Sequence, residues 1–314
     1  MATATMLEVA MSVPAAERAV TPAAAARVEA RGLVVRYGAR VAVDGVDLAL
    51  APGEVFALLG RNGSGKSSLA RALLGIQPRD GGSVRVLGRD PARERASLMS
   101  EVGYVPEEPQ APPEMTPRAL VRFCGRLRRG WDGAAVEERL RRLAVPLDRA
   151  FRRLSKGQKK QVELALALGH RPALVVLDDP TLGLDPIARR AFFGELMAEL
   201  AEGGTTVLLT THDLTAVEGI ADRVGILDAG RLLVDEPLET LKGRFRRLLL
   251  PAASADVPER LRPLGRQTRP WGVEVVVSGW NEEAPPTADA RAMSLEEIFT
   301  ALHVDATVTA AEER

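Results

Sequence analysis

The sequence has little of several features on which common classes of protein depend. Its 314 residues include a single cysteine, Cys124, which excludes an internal disulfide and suits a reducing compartment. Aromatic residues make up 4%, and 42 basic residues balance 42 acidic ones, so neither stacking side chains nor net charge indicate a nucleic-acid binder. No apolar run reaches the roughly 18 residues of a membrane-spanning helix. What remains is a globular chain whose length predicts about two domains.

The first 27 residues differ in composition from the rest of the chain. They are rich in alanine and other small residues, and they lack both the basic start and the continuous apolar stretch of a signal peptide. We expect residues 1–27 to be a disordered tail. We also expect the protein to be cytoplasmic unless a partner carries it to a surface.

Residues 28–242 alternate short apolar runs with helical stretches. The runs LVVRY, VFALL, SVRVL and VGYV come first, and ALVVLD and TTVLLTT follow later in the chain. Between these groups, apolar residues recur at helical spacing in RALVRFCGRLRR, VEERLRRLAV and GQKKQVELALALG. The pattern predicts an α/β core over 28–242 with a helical subdomain at about 108–168.

After residue 242 the pattern changes again. RFRRLLL and VEVVVSG are typical of strands, VPERLRPL of a short helix, and SLEEIFTALHV of a helix near the end of the chain. A proline-rich gap precedes the last of these. Residues 243–314 are therefore predicted to form a small α+β extension.

The strongest motif is GRNGSGKSS, which fits the pattern G-x-x-x-x-G-K-[ST], follows VFALL and opens the helical stretch SSLARALLGI. Glycines let backbone N–H groups surround phosphate oxygens, and the helix N-terminus adds partial positive charge. The lysine would neutralise the β- and γ-phosphates, and the serine after it would bind Mg²⁺. The alternative is a chance match in a glycine-rich turn. The predicted nucleotide-binding residues here are Gly60, Arg61, Asn62, Gly63, Ser64, Gly65, Lys66, Ser67 and Ser68.

Two adjacent carboxylates end the apolar run LVVLDDP. Successive side chains of a strand point to opposite faces, so Asp178 and Asp179 need different partners. At the C-terminal end of a strand parallel to the phosphate-loop strand, Asp178 would hold Mg²⁺, and Asp179 would face the γ-phosphate and an attacking water. The alternative is that both merely cap the following turn, because Asp-Pro commonly starts turns.

A third segment, LSKGQKKQ, lies between these motifs. Ser155 is a suitable helix N-cap, and Gly157 allows a backbone N–H to approach an anion at a helix N-terminus. By itself the segment is equally typical of an ordinary cap followed by a basic turn. In order with the other two motifs, it makes the sequence resemble the ATP-binding cassette (ABC) family, the nucleotide-binding subunits of ABC transporters, over about 28–242.

The resemblance implies a fold, an activity and partners. The fold would be a P-loop NTPase core of the ABC ATPase type, and the activity would be ATP hydrolysis with ATP and Mg²⁺ as cofactors. Two cassettes would close around two ATP molecules, as a homodimer or as a heterodimer with another ABC ATPase, and drive a separate membrane-spanning permease. The chain would then be cytoplasmic and peripheral to the inner face of the cell membrane, and no nucleic acid is expected as a partner.

The resemblance also implies roles for residues within one cassette. Tyr37 corresponds to the aromatic residue that stacks on adenine, with packing at a strand end as the alternative. Glu107, in GYVPEEP, stands where the family usually has a glutamine that contacts Mg²⁺. His212, in TTHD, occupies the switch position that contacts the γ-phosphate, with a core histidine as the alternative. Asp179 departs from the family, which usually places a glutamate there as the base. The predicted catalytic set is thus Lys66, Asp179 and His212.

Two further motifs are implied to act on the nucleotide of the opposite subunit. The signature motif is LSKGQ, in which Lys156 replaces the usual glycine while Ser155, Gly157 and Gln158 keep the family's pattern. The segment GLDP carries the loop that crosses between subunits, with Asp185.

The predicted metal ligands, within one cassette, are Ser67, Asp178 and Glu107.

Charge is segregated along the chain. Residues 118–153 hold eleven arginines and four acids, a balance of +7, whereas residues 281–314 hold two arginines and eight acids, a balance of −6. Such segregation is typical of solvated faces, and the alternative is a basic surface facing the anionic leaflet or a permease loop. The ending SLEEIFTAL resembles ATPases that pair with separately encoded permeases in drug, antibiotic and polysaccharide export.

Two other classes of function stay open. One is a soluble cassette ATPase that acts on nucleic acid or ribosomes, whose members usually carry two cassettes or a long coiled coil. The other is a nucleotide-binding regulatory subunit with little turnover, which Asp179 and Lys156 keep open.

Overall fold

The computed structural model describes residues 26–201, 204–251, 257–280 and 288–302. The predicted disordered tail, 1–27, lies almost entirely outside them. The described residues divide into two compact units, a larger one of 26–212 and 223–233 and a smaller one of 213–222 and the residues from 234 onward. This division reflects which residues pack against one another. The domain boundaries predicted from the sequence stay predictions.

The strands belong to three sheets. In chain order, those within the described residues are β1 (Val28–Tyr37), β2 (Arg40–Leu50), β3 (Val55–Leu59), β4 (Gly81–Val86), β5 (Val102–Val105), β6 (Leu174–Asp178), β7 (Thr206–Thr211), β8 (Arg223–Asp228), β9 (Arg231–Pro237), β10 (Arg246–Leu250), β11 (Pro263–Arg269), β12 (Gly272–Val277) and β13 (Asp289–Ala292).

The helices are short to medium in length. In chain order, those within the same residues are α1 (Lys66–Leu73), α2 (Pro91–Met99), α3 (Pro117–Leu127), α4 (Gly133–Arg142), α5 (Lys156–Leu168), α6 (Pro186–Ala201), α7 (Leu214–Val217), α8 (Leu238–Arg244) and α9 (295–302). None of them combines the length and the apolar character that crossing a membrane would require.

The central sheet is parallel where it carries the candidate site. Its order is β5-β6-β7-β3-β8-β9, and the pairs β5–β6, β6–β7, β7–β3 and β3–β8 are parallel. Every residue of β3, β6 and β7 is buried, which explains why these strands are continuous apolar runs in the sequence rather than alternating ones. Parallel strands end at the same edge, so the residues that follow β3, β6 and β7 share that edge.

A second, antiparallel sheet packs in the same hydrophobic core as α1. Its order is β2-β1-β4. Buried residues of β1 such as Leu33 and Val35 belong to one cluster with Leu69 and Leu73 of α1 and with Val176 of β6. This cluster fixes α1 between the sheets and so fixes the N-terminus at which the phosphate loop ends.

The predicted helical subdomain has a core of its own. Leu120 of α3, Val136 of α4 and Val162 of α5 pack in one buried cluster with Phe151. Side-chain caps define where these helices begin, because the oxygens of Thr116, Asp132 and Ser155 each accept an N–H of the first turn of α3, α4 or α5. The three helices were expected from their apolar spacing.

The smaller unit is an antiparallel sheet with helices. The sheet order is β11-β12-β10-β13, and its core includes Leu248, Val275 and Leu261. The short helix expected over VPERLRPL is wrong in extent: only a 3₁₀ turn, Glu259–Leu261, forms there. The next residue, Arg262, has a left-handed φ of 47°, and β11 begins directly after it, so the helix cannot continue.

Candidate active site

Three neighbouring strands bring the predicted residues to one edge of the central sheet. β7 lies between β6 and β3, with Asp178 paired with Thr210 and Leu59 paired with Thr211. The phosphate loop starts directly after Leu59, and His212 directly follows Thr211. The loop, the carboxylates and the histidine are therefore brought together by strand order.

Glycines allow the phosphate loop, residues 60–65, to pass close to neighbouring backbone. A Cβ atom on Gly60 would lie 2.4 Å from the carbonyl oxygen of Leu227, and one on Gly65 would lie 2.1 Å from that of Ala42. Gly65 also has a φ of 110°, a left-handed value that favours glycine. Any larger residue would displace the loop at either position.

The loop ends at the N-terminus of α1, where backbone donors are available. Within the described residues, no acceptor contacts the N–H groups of Gly65, Lys66 or Ser67, and no side chain caps the helix. Arg61 and Asn62, earlier in the loop, are exposed. Free N–H groups and the positive end of the helix dipole suit the oxygens of a phosphate.

Lys66 is a buried cation close to three carboxylates. Its Nζ donates to two carbonyl oxygens of the phosphate loop, at 2.8 and 3.1 Å, and the residue is 6% exposed. Burial lowers the pKa of Lys66, and the negative charges of Asp179, Asp178 and Glu107 oppose this shift. The structure thus places all three predicted carboxylates within electrostatic reach of the lysine.

The other predicted nucleotide-binding residues contact the ends of β1 and β2. Oγ of Ser68 lies 3.4 Å from the hydroxyl of Tyr37, and Nη2 of Arg40 donates to the carbonyl oxygen of Gly63 at 3.1 Å. Tyr37 is 46% exposed, so its ring remains accessible to a ligand. Oγ of Ser64 is buried and has no hydrogen-bond partner within the described residues.

Asp178 is fully buried, and its two oxygens have different partners. Oδ1 accepts a hydrogen bond from Oγ1 of Thr210 at 2.8 Å. Oδ2 lies 3.5 Å from Nη2 of Arg71, which belongs to α1. A carboxylate accepts several bonds, so this environment leaves Asp178 able to bind a cation.

Asp179 contacts His212 instead. Both of its carboxylate oxygens lie near Nδ1 of the histidine, at 2.9 and 3.0 Å. The backbone of Asp179 is left-handed, with a φ of 42°, and its N–H donates to the carbonyl oxygen of Thr210 at 2.9 Å. Aspartate adopts such a φ more readily than most residues. The two neighbouring aspartates therefore have separate side-chain partners; β6 ends at Asp178, so the left-handed backbone of Asp179, rather than strand alternation, turns its side chain toward His212.

Glu107 lies on a loop that α5 holds in place. Glu107 itself makes no hydrogen bond or ion pair in the part of the chain that is described. Nζ of Lys160, a residue with no exposed area, donates to the carbonyl oxygen of Pro106, and Oε1 of Glu163 accepts the N–H of Gln110 at 2.7 Å. Burial lowers the pKa of Lys160 and raises that of Glu163. These contacts join the predicted metal side of the site to the signature helix.

The signature segment begins α5 and is separate from the phosphate loop. Oγ of Ser155 accepts the N–H of Gln158 at 3.1 Å, and Oε1 of Gln158 accepts the N–H of Ser155 at 3.1 Å, a reciprocal cap that fixes this helix start. A Cβ on Gly157 would lie 2.9 Å from Cβ of Ala188 in α6. No hydrogen bond or ion pair among the described residues joins 155–158 to 60–68.

The two remaining features of this region lie beside the signature segment. Nζ of Lys156 is 3.5 Å from Oε1 of Glu108, but these side chains are 39% and 69% exposed, so water weakens the pair. A Cβ on Gly183 would lie 3.0 Å from the same Nζ. Oδ1 of Asp185 accepts two N–H groups of the first turn of α6, each at 2.9 Å, and so caps that helix.

The residues fit a nucleoside triphosphate with a divalent cation. Free N–H groups and Lys66 are suited to phosphate oxygens. The hydroxyl of Ser67 and the carboxylates of Asp178 and Glu107 are oxygen ligands of the kind that Mg²⁺ prefers, together with phosphate oxygens and water. The site can therefore bind phosphates and hold a metal beside them.

Comparison with known proteins agrees with this chemistry. A family model described as ABC transporter matches residues 43–182. Linearmycin resistance ATP-binding protein LnrL of Bacillus subtilis is 33% identical over 214 residues, which are 65% of this chain and 67% of that protein. Nod factor export ATP-binding protein I of Sinorhizobium fredii is 36% identical over 254 residues, 77% of this chain and 71% of that protein. The chain belongs to the ABC transporter ATP-binding family.

A solved structure supports the same assignment for the cassette. The ATP-binding subunit of an ABC transporter has 29% sequence identity and a TM-score of 0.62, and the match covers 68% of this chain and 91% of that structure. The predicted α/β P-loop core with its helical subdomain is thus confirmed. As a member of this family, the cassette binds and hydrolyses ATP.

Sequence reasoning missed several residues that contact the predicted site. Thr210 could have been found from strand register, because it lies opposite Asp178 in a TTVLLTT strand. Nothing in the sequence distinguished the contacts of Arg71, Lys160 and Glu163, since charged residues on a helix are normally solvated.

Proposed function

We propose that this cassette is the ATPase subunit of an ABC transporter, in which two cassettes close around two ATP molecules and drive a separate membrane-spanning permease. One observation carries the proposal. The phosphate loop and the carboxylates lie at one sheet edge, whereas the signature segment begins α5 and has no hydrogen bond to that loop within the described residues. A complete site then needs the signature segment of a second cassette.

Within one cassette, the proposed roles follow from the contacts. Backbone N–H groups of the phosphate loop and Lys66 bind the phosphates, and the accessible ring of Tyr37 stacks on adenine. Ser67, Asp178 and Glu107 would hold Mg²⁺, which would neutralise phosphate charge when bound.

Asp179 and His212 are the proposed catalytic pair. Asp179 holds the attacking water and takes its proton. His212 orients that carboxylate through its 2.9 Å contact, and its side chain is 43% exposed, so its other ring nitrogen can reach a γ-phosphate. Precise orientation of a base is important because reaction rates depend steeply on the geometry of attack.

The second cassette supplies the other half of each site. Ser155 and the N–H groups at the start of α5, including that of Gly157, are anion donors, and the reciprocal cap with Gln158 holds them in place before nucleotide arrives. Asp185 lies in the loop proposed to cross between subunits. The second cassette is a copy of this chain or a different ABC ATPase.

The proposed surface for the permease lies on α3. Phe123 and Leu127, one turn apart, are 50% and 68% exposed. Arg122, Arg126 and Arg129 beside them are exposed, and within the described residues no acid lies at ion-pair distance from them. Apolar side chains framed by exposed cations suit a cytoplasmic permease segment with acidic and apolar residues, next to an anionic membrane.

The other arginines of this insertion mostly fit the simpler interpretation of a solvated, salt-bridged face. Several of them pair with nearby acids at 2.7 to 3.2 Å. These are Arg118, Arg139, Arg141, Arg142 and Arg152.

Export is the proposed direction of transport. The relatives described above carry names that refer to linearmycin resistance and to Nod factor export. A cassette that serves such a permease would lie at the cytoplasmic face of the cell membrane.

Co-purification from membranes tests this proposal. We expect the natively expressed, tagged chain to recover a polytopic membrane protein after detergent extraction. The variant Arg126→Glu should reduce that recovery at least fivefold, because it reverses the charge beside Leu127. The matched control is Arg95→Glu on α2, an exposed arginine with the same charge change, which should leave recovery unchanged.

Two outcomes would contradict the proposal. Recovery of the chain only with ribosomes or nucleic acid would favour the soluble class of cassette ATPase. Equal recovery by Arg126→Glu and the parent would exclude α3 as the permease surface.

A further inference from the structure

Asp178 is a buried carboxylate that lies beside a cation. Its side chain has no exposed area, and its protein partners are the neutral hydroxyl of Thr210 at 2.8 Å and the guanidinium of Arg71 at 3.5 Å. An ionised carboxylate removed from water is unfavourable unless an opposite charge compensates it. Lys66 contributes at longer range, but its Nζ is already bound to two loop carbonyls. Arg71 is therefore the guanidinium in position to compensate Asp178.

Arg71 reaches Asp178 from the helix that begins at the phosphate loop. It lies in α1, five residues after Lys66, and α1 packs against β6 in the larger core. The phenol of Tyr104, on the adjacent strand β5, interacts electrostatically with Arg71. Burial and the charge of Asp178 raise the pKa of Tyr104, so the phenol stays neutral. Arg71 thus contacts a buried carboxylate and has a neutral phenol nearby.

We propose that Arg71 is the counter-ion of Asp178 whenever no metal is bound, and that it competes with Mg²⁺ for this carboxylate. The proposal rests on the function proposed above, in which Asp178 holds Mg²⁺. Arg71 is a positioning residue: its guanidinium, 3.5 Å from Oδ2, occupies one side of the carboxylate when no metal is bound. The same positive charge opposes a divalent cation, so Mg²⁺ binds more weakly than it would beside a neutral residue.

The test titrates Mg²⁺ into the full chain and follows the binding of a fluorescent ADP analogue. The measured quantity is the midpoint, the Mg²⁺ concentration that gives half of the maximal binding signal, and it requires no turnover. We expect Arg71→Gln to lower this midpoint roughly two- to fivefold, the range for a partly exposed charge. Arg71→Lys keeps the charge and should restore the midpoint to the parent's value. Tyr104→Phe removes the polar phenol near Arg71 without changing any charge, so the midpoint should fall by a smaller factor than in Arg71→Gln.

Controls separate this proposal from the function on which it rests. Arg95→Gln removes an exposed arginine of α2 and should leave the midpoint unchanged. An Arg71→Gln midpoint equal to or above the parent's would overturn the counter-ion role. If Asp178→Asn leaves the Mg²⁺ dependence of the parent intact, Asp178 is not the metal ligand, and the function proposed for it fails together with the role of Arg71.

Discussion

Nδ1 of His212 lies 2.9 Å from Oδ1 of Asp179, so the proposed switch residue and the proposed base are in direct contact. Strand order produces this contact, because the two residues follow the adjacent parallel strands β7 and β6. The histidine would therefore act on the carboxylate as well as on the γ-phosphate. Because of this contact, a substitution of either His212 or Asp179 is expected to alter ATP turnover.

Replacing His212 should slow the chemical step more than it weakens ATP binding. In His212→Ala, Asp179 loses the group that orients it, so we expect kcat to fall about 10- to 100-fold with a much smaller change in KM. Steady-state ATP turnover checks this. The control is His170→Gln, which alters a histidine outside the site and should keep the parent's kcat. A parent-like kcat in His212→Ala would contradict the orienting role.

The phosphate loop should not tolerate a side chain at Gly65. In Gly65→Ala the new Cβ would lie 2.1 Å from the carbonyl oxygen of Ala42, so the loop must shift and its N–H groups lose their positions. We expect affinity for ATP to fall at least tenfold in equilibrium binding. The matched control is Gly53→Ala, which has a similar left-handed φ of 75° but nothing within 4 Å of the new Cβ. Equal ATP affinity in the two variants would show that the close approach is unimportant.

Mixing two inactive variants should restore activity if each site is shared between subunits. Lys66→Ala removes the buried cation from the phosphates, and Ser155→Arg blocks the signature segment, so we expect each variant alone to have about 1% of the parent turnover or less. In a mixed dimer, the intact phosphate loop of one chain faces the intact signature segment of the other. Turnover should return to a sizeable fraction of the parent's value on mixing.

The matched control mixes Lys66→Ala with Asp179→Asn. Both changes affect the same half of a site, so neither site of that mixed dimer is intact and turnover should stay low. If subunits demonstrably exchange and the Ser155→Arg mixture also stays inactive, a homodimer with shared sites is contradicted, and a different partner cassette is favoured.

His170 should make the folded chain less stable in mild acid. Nε2 of this buried residue lies 2.6 Å from Nη1 of Arg128, and burial followed by the arginine's charge lowers the pKa of His170 from 6.5 to about 4. Between pH 6.5 and pH 4 the unfolded chain therefore binds a proton that the folded chain does not, so stability falls as pH falls. From pH 7 to pH 5 the loss due to His170 should be about 2 kcal/mol.

Urea unfolding at pH 7 and pH 5 measures this loss, and His170→Gln should remove most of it. Asp90 does not interfere, because Arg79 lowers its pKa to about 2 through a hydrogen bond. The stability from that pair is lost only as pH falls below about 4. The same change in unfolding free energy in His170→Gln and the parent would show that His170 is not responsible.

Much of the fold could be predicted because its signals are local. β3, β6 and β7 are buried on both faces and are continuous apolar runs in the sequence, and α5 has an N-cap and helical spacing. By contrast, α2 was missed because most of its residues are exposed and carry no clear period. β2 was also missed, although residues 46–50 alternate between buried and less buried positions. Regular burial on one or both faces is what makes an element visible in a sequence.

The candidate site was predictable only in part for a similar reason. Motifs identified Lys66 and Asp178 because phosphate and metal binding require fixed residue types at fixed spacing. The contact between Asp179 and His212, and that between Asp178 and Arg71, depend on strand order and on how α1 packs. Sequence spacing does not contain this information, because the partners are far apart in the chain.

Substitutions of residue 179 test most directly how this site catalyses ATP hydrolysis. Asp179 has one methylene fewer than the glutamate usual in the family, so its carboxylate reaches about 1.5 Å less far. Its left-handed backbone, with a φ of 42°, accommodates aspartate well, and Asp179→Glu should cost about 1 kcal/mol of stability or less. We expect a slow but active site in which Asp179 is the base.

ATP turnover and closure of the ATP-bound dimer, measured together for Asp179→Asn, Asp179→Glu and the parent, provide that test. Loss of a positioned base typically costs about 10²- to 10⁴-fold in rate. We expect Asp179→Asn to stop turnover and to accumulate the closed ATP-bound dimer, and Asp179→Glu to hydrolyse ATP at the parent's rate or faster. Turnover by Asp179→Asn at the parent's rate would show that Asp179 is not the base and that the cassette hydrolyses ATP by another route.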